Sequence, residues 1–205
     1  MNNKLMIIGA GGHGKVCADI AMKMDNWSSI SFLDDNESIT TFKDIEVIGT
    51  SSEISEYIRE YDVFIAVGDN VVRQRLQQEL ESLGAQLTTL IHPSAVIGEQ
   101  VQIGIGSVVM AGAVINCCTQ IGKGCIINTS SSIDHDNTIG DYVHISPGVH
   151  LAGTVDIGHG SWLGIGSTVS NNLKVVEWCT IGAGSVMVRD ITEPGVYVGI
   201  PVRRV

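Results

Sequence analysis

Hydrophobic residues recur along this chain with two different periods, and the period changes near residue 91. In the first part, apolar runs of strand length alternate with segments of helical spacing. KLMIIGA, SISFLDD, DVFIAVGDN and AQLTTLI read as strands, whereas KVCADIAMKM, SSEISEYIREY and VVRQRLQQELESLG read as helices. We expect the helix in SSEISEYIREY to open with a Ser-x-x-Glu type cap. Strand–helix alternation predicts a parallel sheet with right-handed crossovers, and therefore a Rossmann-like α/β domain over residues 1–90.

From residue 91 to residue 205 the apolar positions follow a period of six. Every sixth residue from Ile97 to Met187 is aliphatic or methionine, and a glycine follows many of these anchors, as at Gly98 and Gly122. A period of six is typical of a repeat solenoid. Each hexad should supply one short strand and one turn, and three hexads should close a triangular coil with the anchors inside. We expect the glycines to relieve strain at corners that need a positive φ, in an all-β domain with a short C-terminal tail.

Composition narrows the class of protein further. Hydrophobic residues make up 44% of the 205 residues and charged residues 17%, which is typical of a folded chain. The formal charge of −10 argues against nucleic-acid binding, and no apolar run is long enough to predict a membrane span. The beginning of the sequence lacks the pattern of a secretory signal. The cysteines form no C-x-x-C pair, so we expect reduced thiols in small core sites of a cytoplasmic protein without a metal centre; they are Cys17, Cys117, Cys118, Cys125 and Cys179.

A glycine-rich loop joins the first predicted strand to the first helix. Gly9, Gly11 and Gly14 give the pattern G-x-G-x-x-G, and Asp34 follows about twenty residues later, as in dinucleotide-binding domains. This pattern alone would indicate a nicotinamide-dependent dehydrogenase. The α/β unit, however, ends after about 90 residues, which is half the length of a full dinucleotide domain. A second alternative is that these glycines only form a tight strand-to-helix turn.

Six segments occur in order across nearly the whole chain: IIGAGGHGKV, FLDD, VGDN, LIHPSAVIG, NTSSSIDHDNTIG and GVYVGIPVRR. This set resembles the sialic-acid O-acetyltransferase-like family of hexapeptide-repeat acyltransferases, and especially the bacterial UDP-4-amino-sugar N-acetyltransferases. The resemblance implies a left-handed parallel β-helix, a homotrimer, and acetyl-CoA bound between neighbouring prisms. It also implies that the enzyme acetylates the amino group of a UDP-4-amino-4,6-dideoxy sugar for bacterial surface glycan or glycoprotein synthesis.

The same resemblance implies roles for individual residues. His135 would be the general base and Asp136 would orient its imidazole ring. The nucleotide sugar would contact Gly11, Gly12, His13, Asp34, Asp35, Gly68, Asn70 and Asn128. The coenzyme would contact His144, Gly153, Gly182, Ala183, Pro201, Arg203 and Arg204. Asp69 departs from this picture, because a carboxylate beside a diphosphate is unfavourable unless it faces elsewhere.

Two other functions remain open at this point. The acceptor could be a hydroxyl group, on sialic acid or another molecule, since the same base would serve O-acetylation. The prism could also be a non-catalytic scaffold that assembles a nucleotide-sugar-binding trimer. The pair His135–Asp136 argues against the scaffold, because a solenoid corner has no structural need for an imidazole.

Overall fold

The computed structural model describes residues 2–36, 38–39 and 41–205. The chain divides into two compact units, Met1–Pro93 and Ser94–Val205. No helix in the described ranges is both long and apolar enough to cross a membrane.

The first unit is a small α/β domain. Its strands are β1 (Lys4–Ile8), β2 (Ser29–Leu33), β3 (Thr41–Phe42), β4 (Ile45–Glu46), β5 (Asp62–Ile65), β6 (Gln86–Leu87) and β7 (Leu90–Ile91). Its helices are α1 (Gly12–Met24), α2 (Asn70–Ser82) and a 3₁₀ helix (Ser51–Glu56). The main sheet is parallel, in the order β2-β1-β5-β6. The chain first moves from β1 outward to β2 and then returns to place β5 on the other side of β1. The carboxyl ends of β1 and β5 therefore flank the switch point at which open α/β sheets bind ligands.

The segment SSEISEYIREY is not the helix that its spacing predicts. Only Ser51–Glu56 is helical, as a 3₁₀ helix. The following residues form turns with hydrogen bonds from residue i to i−3 or i−4, such as those from the N–H groups of Tyr57 and Ile58 to the Ile54 carbonyl. The capping residue is Thr50, whose side chain and backbone exchange hydrogen bonds with Glu53, and not a serine. Tyr57 and its neighbours pack on the apolar core, so tertiary packing overrides the local helical pattern here.

The second unit is a three-sided parallel β-helix. The first face contains Val108–Val109, Ile126–Ile127, His144–Ile145, Trp162–Leu163, Cys179–Ile181, Gly195–Val198 and the antiparallel Arg203–Arg204. The second face contains Val96–Ile97, Val114–Ile115, Ser132–Ile133, His150–Leu151, Thr168–Val169 and Val186–Met187. The third face contains Gln102–Ile103, Gln120–Ile121, Thr138–Ile139, Asp156–Ile157 and Lys174–Val175. Most anchors are buried, as at Ile133 and Ile145, whereas most of the residues directly before an anchor are partly or fully exposed.

Successive coils are 18 residues apart, and this spacing decides which outward side chains become neighbours. In the register of the first face His144 pairs with Trp162, and on the second face Ser132 pairs with His150. Because hydrogen-bonded strands lie about 4.8 Å apart, residues i and i+18 are stacked along an edge or a face.

The positive φ values do not occur where the sequence suggested. Along the repeat they lie three residues after every anchor from Ile97 to Ile181, and many of these positions hold other residues than glycine, such as Gln100, Cys118 and Asp136. The glycines directly after the anchors have another role, close approach between coils. A Cβ at Gly98 would lie 2.7 Å from the backbone nitrogen of Cys117 in the next coil. Space between coils, and not a left-handed backbone, explains these glycines.

The cysteines also differ in part from expectation. All five are free thiols, and Cys17, Cys125 and Cys179 are buried, but Cys117 and Cys118 are exposed. The exposed pair lies one coil before His135 and Asp136, at the same corner.

Candidate active site

His135 and Asp136 lie at an exposed corner between the second and third faces. Nδ1 of His135 and Oδ2 of Asp136 are 2.7 Å apart, and 53% and 58% of the two side chains are exposed. A carboxylate only accepts hydrogen bonds, so Nδ1–H is the donor and Nε2 carries the free lone pair. The corner thus presents an imidazole in the tautomer that a general base requires.

The electrostatic surroundings strengthen this base. The hydrogen bond to Asp136 raises the pKa of His135 above its ordinary value, and the negative charges of Asp134 and Asp136 add to that effect. The carboxylate of Asp134 accepts hydrogen bonds from the Asn116 amide at 2.8 Å and the His135 backbone N–H at 2.9 Å. These two bonds lower the pKa of Asp134, so it remains an anion beside the imidazole.

A buried amide holds the backbone of this corner. The Nδ2 group of Asn137 donates to the carbonyl oxygens of Asp134 at 2.7 Å, Ala152 at 3.1 Å and His135 at 3.2 Å. Its Oδ1 accepts from the Val155 N–H at 3.0 Å. Asn137 is fully buried, so these bonds are made away from water and fix the two coils to each other.

Gly153, in the next coil, leaves room for the imidazole ring. A Cβ placed there would lie 2.6 Å from both Cε1 and Nε2 of His135. The resemblance assigned Gly153 to the coenzyme, and within one chain the structure brings it against the reactive nitrogen of His135.

A second polar cluster lies on the first face and at its edge with the second face. Nδ2 of Asn128 is 3.3 Å from Nε2 of His144, although the resemblance divided these two residues between different ligands. The His144 ring stacks on Trp162, with centroids 6.0 Å apart and planes 17° apart. The indole N–H of Trp162 donates to the Ser146 hydroxyl at 2.8 Å. Trp162 was not among the residues predicted from sequence, although its spacing of one full coil from His144 was a signal for it.

The remaining residues predicted for the coenzyme lie toward the end of the β-helix. Gly182 and Ala183 follow the strand Cys179–Ile181, at the same edge as Asn128. A Cβ at Gly182 would lie 2.7 Å from Val198 Cγ1, which explains the glycine by packing.

The C-terminal strand places two arginines differently. Pro201 and Arg203 lie in this last segment, and Arg203 donates to the Val202 carbonyl at 2.9 Å. Arg204 is paired with Glu193 at 2.5 Å and also donates to the Pro194 carbonyl. Its charge is therefore partly neutralised within the chain, unlike that of Arg203.

The first unit contains a cavity of about 200 Å³ at the carboxyl ends of β1, β2 and β5. It is lined by Ile8, Gly9, Leu33, Asp34, Asp35, Ser51, Val67, Val72, Arg75 and Leu76. The cavity lies at the switch point of the sheet, and its walls are largely apolar with charged groups at the margin. This is the composition of a small-ligand site.

The acidic residues around this cavity make specific internal bonds. Asp34 accepts from the backbone N–H groups of Ala10 at 2.6 Å and Asn36 at 2.8 Å, so its carboxylate positions the glycine loop. Asp35 accepts from the N–H and the hydroxyl of Ser51, each at 2.8 Å. Asp69 caps α2 by accepting from the Val72 N–H at 2.9 Å. The negative charge of Asp69 is thus used at a helix N-terminus.

The glycines of the loop fall into two groups. A Cβ at Gly9 or Gly14 would collide with backbone, at 2.8 Å from Ala66 O and 1.9 Å from Gly9 O respectively, so the turn itself requires these glycines. A Cβ at Gly11 or Gly12 would meet nothing within 4 Å. The fold of the described chain does not require glycine at these two positions, which lie at the N-terminus of α1.

His13, Gly68 and Asn70 lie around a buried arginine. Arg73 donates to the carbonyls of Val67 at 3.0 Å and Gly68 at 3.1 Å, and to Oδ1 of Asn70 at 2.8 Å. Burial, with a smaller effect of the Arg73 charge, lowers the pKa of His13 to about 4. His13 is therefore a neutral imidazole at physiological pH.

Among the described residues, no group of three or more His, Cys, Asp or Glu side chains could hold a metal ion. A hydrogen-bonded His-Asp pair on a hexapeptide-repeat β-helix, joined to a small Rossmann-like unit, defines the class of hexapeptide-repeat acyltransferases.

Comparisons with known proteins agree with this class. Residues 4–80 match the family described as PglD N-terminal domain. The acetyltransferase domain of PglB from Neisseria gonorrhoeae FA1090, solved with acetyl coenzyme A, is 38% identical with a TM-score of 0.97, over 100% of both chains. PerB from Caulobacter crescentus, solved with CoA and GDP-perosamine, is 32% identical with a TM-score of 0.92, over 98% of this chain and 96% of that one. A UDP-N-acetylbacillosamine N-acetyltransferase from Bacillus subtilis (strain 168) is 37% identical over 110 residues, 51% of this chain and 50% of its own length.

The chain belongs to this family of PglD-like sugar N-acetyltransferases. It is an acetyl-CoA-dependent N-acetyltransferase, and the expectations of a Rossmann-like unit, a hexapeptide-repeat β-helix and acetyl-CoA as co-substrate are confirmed. A dehydrogenase, suggested by the glycine loop alone, is wrong.

Proposed function

We propose that this protein transfers the acetyl group of acetyl-CoA to the amino group of a UDP-4-amino-4,6-dideoxy sugar, in the bacterial cytoplasm, for surface glycan or glycoprotein synthesis. The observation that carries the proposal is the exposed pair His135–Asp136, with Nδ1 and Oδ2 2.7 Å apart. The similarity to a UDP-N-acetylbacillosamine N-acetyltransferase from Bacillus subtilis supports a UDP-linked acceptor.

The acceptor amine is mostly an ammonium ion at neutral pH, and it reacts as the neutral amine after it has lost one proton to solvent. Nε2 of His135 removes a proton as the amine attacks the thioester carbonyl, so the new N–C bond and the imidazolium form together. Asp136 stabilises the imidazolium through the Nδ1–H bond. Collapse of the tetrahedral intermediate breaks the C–S bond, and the imidazolium returns the proton to the departing CoA thiolate. The backbone N–H of Gly153, which lies against the ring, is the candidate donor to the oxyanion.

The nucleotide would occupy the cavity of the first unit. Gly11 and Gly12 support this placement. No packing contact within the described chain requires glycine at these positions, and the absence of side chains leaves room for a diphosphate at the N-terminus of α1. Neutral His13 can donate or accept one hydrogen bond there without a charge. Gly68 and Asn70, held by Arg73, would lie toward the sugar.

The coenzyme would lie along the edge that carries Asn128, His144, Gly182 and Ala183. Trp162 extends this edge with an aromatic surface, 48% of which is exposed. Pro201 and Arg203 would meet the far end of the coenzyme, where a 3′-phosphate needs a cation.

The position of these residues supports a homotrimer. Within one prism, His135 lies at the edge between the second and third faces, whereas His144 lies on the first face. A complete site that uses both residues would therefore combine the His135 corner of one copy with the first face of a second copy. We expect three copies around a common axis, because three-sided prisms can repeat this contact in a closed ring.

The test is acetyl-CoA turnover, followed by thiol release, with UDP- and GDP-linked 4-amino sugars and with sialic acid. The variant His135→Asn should lose about 10²- to 10⁴-fold in kcat and still bind acetyl-CoA. The control His150→Asn, which removes an exposed imidazole bonded to Ser132 on the second face, should retain activity. Near-normal turnover by His135→Asn, or no transfer to any nucleotide amino sugar, would refute the proposal.

Co-expression tests the shared site. His135→Asn and His144→Ala should each be weakly active alone, and mixed oligomers should regain part of the activity because some seams combine two intact edges. Mixed oligomers that stay inactive would argue against a site built from two copies.

A GDP-linked acceptor is the second candidate. The alignment with PerB, whose structure contains GDP-perosamine, covers 98% of this chain. A higher kcat/KM with the GDP-linked than with the UDP-linked sugar would favour it.

A further inference from the structure

Arg75 is a cation at the cavity of the first unit and was not among the residues predicted from sequence. It is exposed and lines the cavity together with Asp34, Asp35 and Ser51. Both carboxylates already accept hydrogen bonds from the chain, whereas within the described ranges the guanidinium of Arg75 has no partner. A donor without a partner at the rim of a ligand-sized cavity is available to the ligand.

Two nearby groups that can carry a positive charge are engaged or neutral. Arg73 is buried and donates to two carbonyls and to Asn70, so it holds the loop after β5. His13 is neutral at physiological pH because burial lowers its pKa to about 4. Of the described residues that line the cavity, Arg75 is therefore the one with an accessible positive charge.

The shape of the cavity indicates which part of a nucleotide Arg75 meets. Val72, Arg75 and Leu76 lie on one face of α2, at spacings of three and four residues, opposite Leu33 and Val67. Apolar walls and a volume of about 200 Å³ suit a flat heterocycle better than a hydrated diphosphate. The N-terminus of α1 already offers backbone N–H groups to the phosphates.

We propose that Arg75 is a nucleobase-binding residue, whose planar guanidinium closes the cavity over the base of the nucleotide sugar and contacts its face or a carbonyl oxygen. The inference rests on the proposed function, because it places the nucleotide in this cavity. A guanidinium is suited to this role since it stacks on aromatic rings and donates in its own plane, and a lysine ammonium does neither. Such contacts correspond to about five- to thirtyfold in affinity.

The experiment compares UDP with uridine, and GDP with guanosine, by calorimetry and ligand-observed NMR. Arg75→Ala should lower the affinity for the nucleotide and the affinity for its nucleoside by the same factor, about five- to thirtyfold. Arg75→Lys should restore little, since it keeps the charge and loses the plane. The control Arg59→Ala removes the same charge from a cavity margin formed by Asn2, Gly84 and Gln86, at the other end of the sheet, and should change neither affinity.

The other possible outcomes would refute either the inference about Arg75 alone or the nucleotide site as well. Weaker binding of UDP with unchanged binding of uridine would mean that Arg75 contacts phosphate, and would overturn the inference. Unchanged binding of both would overturn it while leaving the nucleotide site intact. If the wild type bound neither UDP nor GDP, the nucleotide site of the proposed function would fail, and the inference with it. Acetyl-CoA affinity and melting temperature report whether Arg75→Ala is folded; an alanine at an exposed helical position should preserve both.

Discussion

Replacing Gly153 with alanine tests how closely the structure positions the imidazole of His135. The new Cβ would lie 2.6 Å from Cε1 and Nε2 of the ring, whereas contacting heavy atoms normally lie about 3.5 Å apart. The ring must therefore move by about 1 Å, enough to disturb its 2.7 Å hydrogen bond to Asp136. The φ angle of Gly153 is not positive, so alanine itself adds no backbone strain.

We expect kcat/KM to fall about a hundredfold, because a displacement of about 1 Å at a reacting group has an effect of that size. The assay is thiol release from acetyl-CoA at saturating acceptor, with thermal unfolding measured on the same preparation. The melting temperature should change little, since the clash is with an exposed side chain that can move into solvent.

The matched control is Gly158→Ala, at a glycine that directly follows an anchor. Its Cβ would lie 2.4 Å from the backbone nitrogen of Glu177, which cannot move aside. This variant should lose about 1–3 kcal/mol in free energy of unfolding and keep the specific activity of the folded fraction. Activity of Gly153→Ala within threefold of the wild type, or a loss of stability like that of Gly158→Ala, would refute the reasoning about His135.

Two further predictions address the neighbouring residues. Asp136→Asn removes the main interaction that raises the pKa of His135. The acidic limb of the profile of kcat/KM against pH should therefore move to lower pH, and the plateau should fall. An acidic limb at the same pH as in the wild type would contradict the assignment of His135 as the general base. Trp162→Phe should raise the KM for acetyl-CoA severalfold and change kcat less than twofold. It should also abolish the change in tryptophan fluorescence on coenzyme binding. An equal fluorescence change in the variant would mean that another tryptophan reports the binding of the coenzyme.

At the corner of His135, the period of six predicts the turn but not the contacts between adjacent coils. The anchor Ile133 predicts a turn two residues later, and the imidazole is indeed exposed there. The buried bonds of Asn137 and the contact with Gly153 were not predictable, because both depend on which residues of adjacent coils come into register.

At the cavity of the first unit, too, the sequence indicated the site but not all of its contacts. The order of strands and helices and the glycine loop indicated a ligand site near α1. Arg75 reaches that site only because α2 packs with its residues 72, 75 and 76 toward the carboxyl ends of the strands. Likewise Asp34, predicted to bind the nucleotide, is committed to the backbone of the loop, which no local pattern reveals.

The sequence by itself determined the two architectures, since a period of six and the alternation of strands and helices are local consequences of which side chains must avoid water. The tertiary structure alone decided the chemistry of the edges. Closure of each coil at 18 residues stacks His144 on Trp162 and sets Gly153 against His135, and burial makes His13 neutral. Neighbours across coils and desolvation are properties of the folded chain, so short-range pattern carries no information about them.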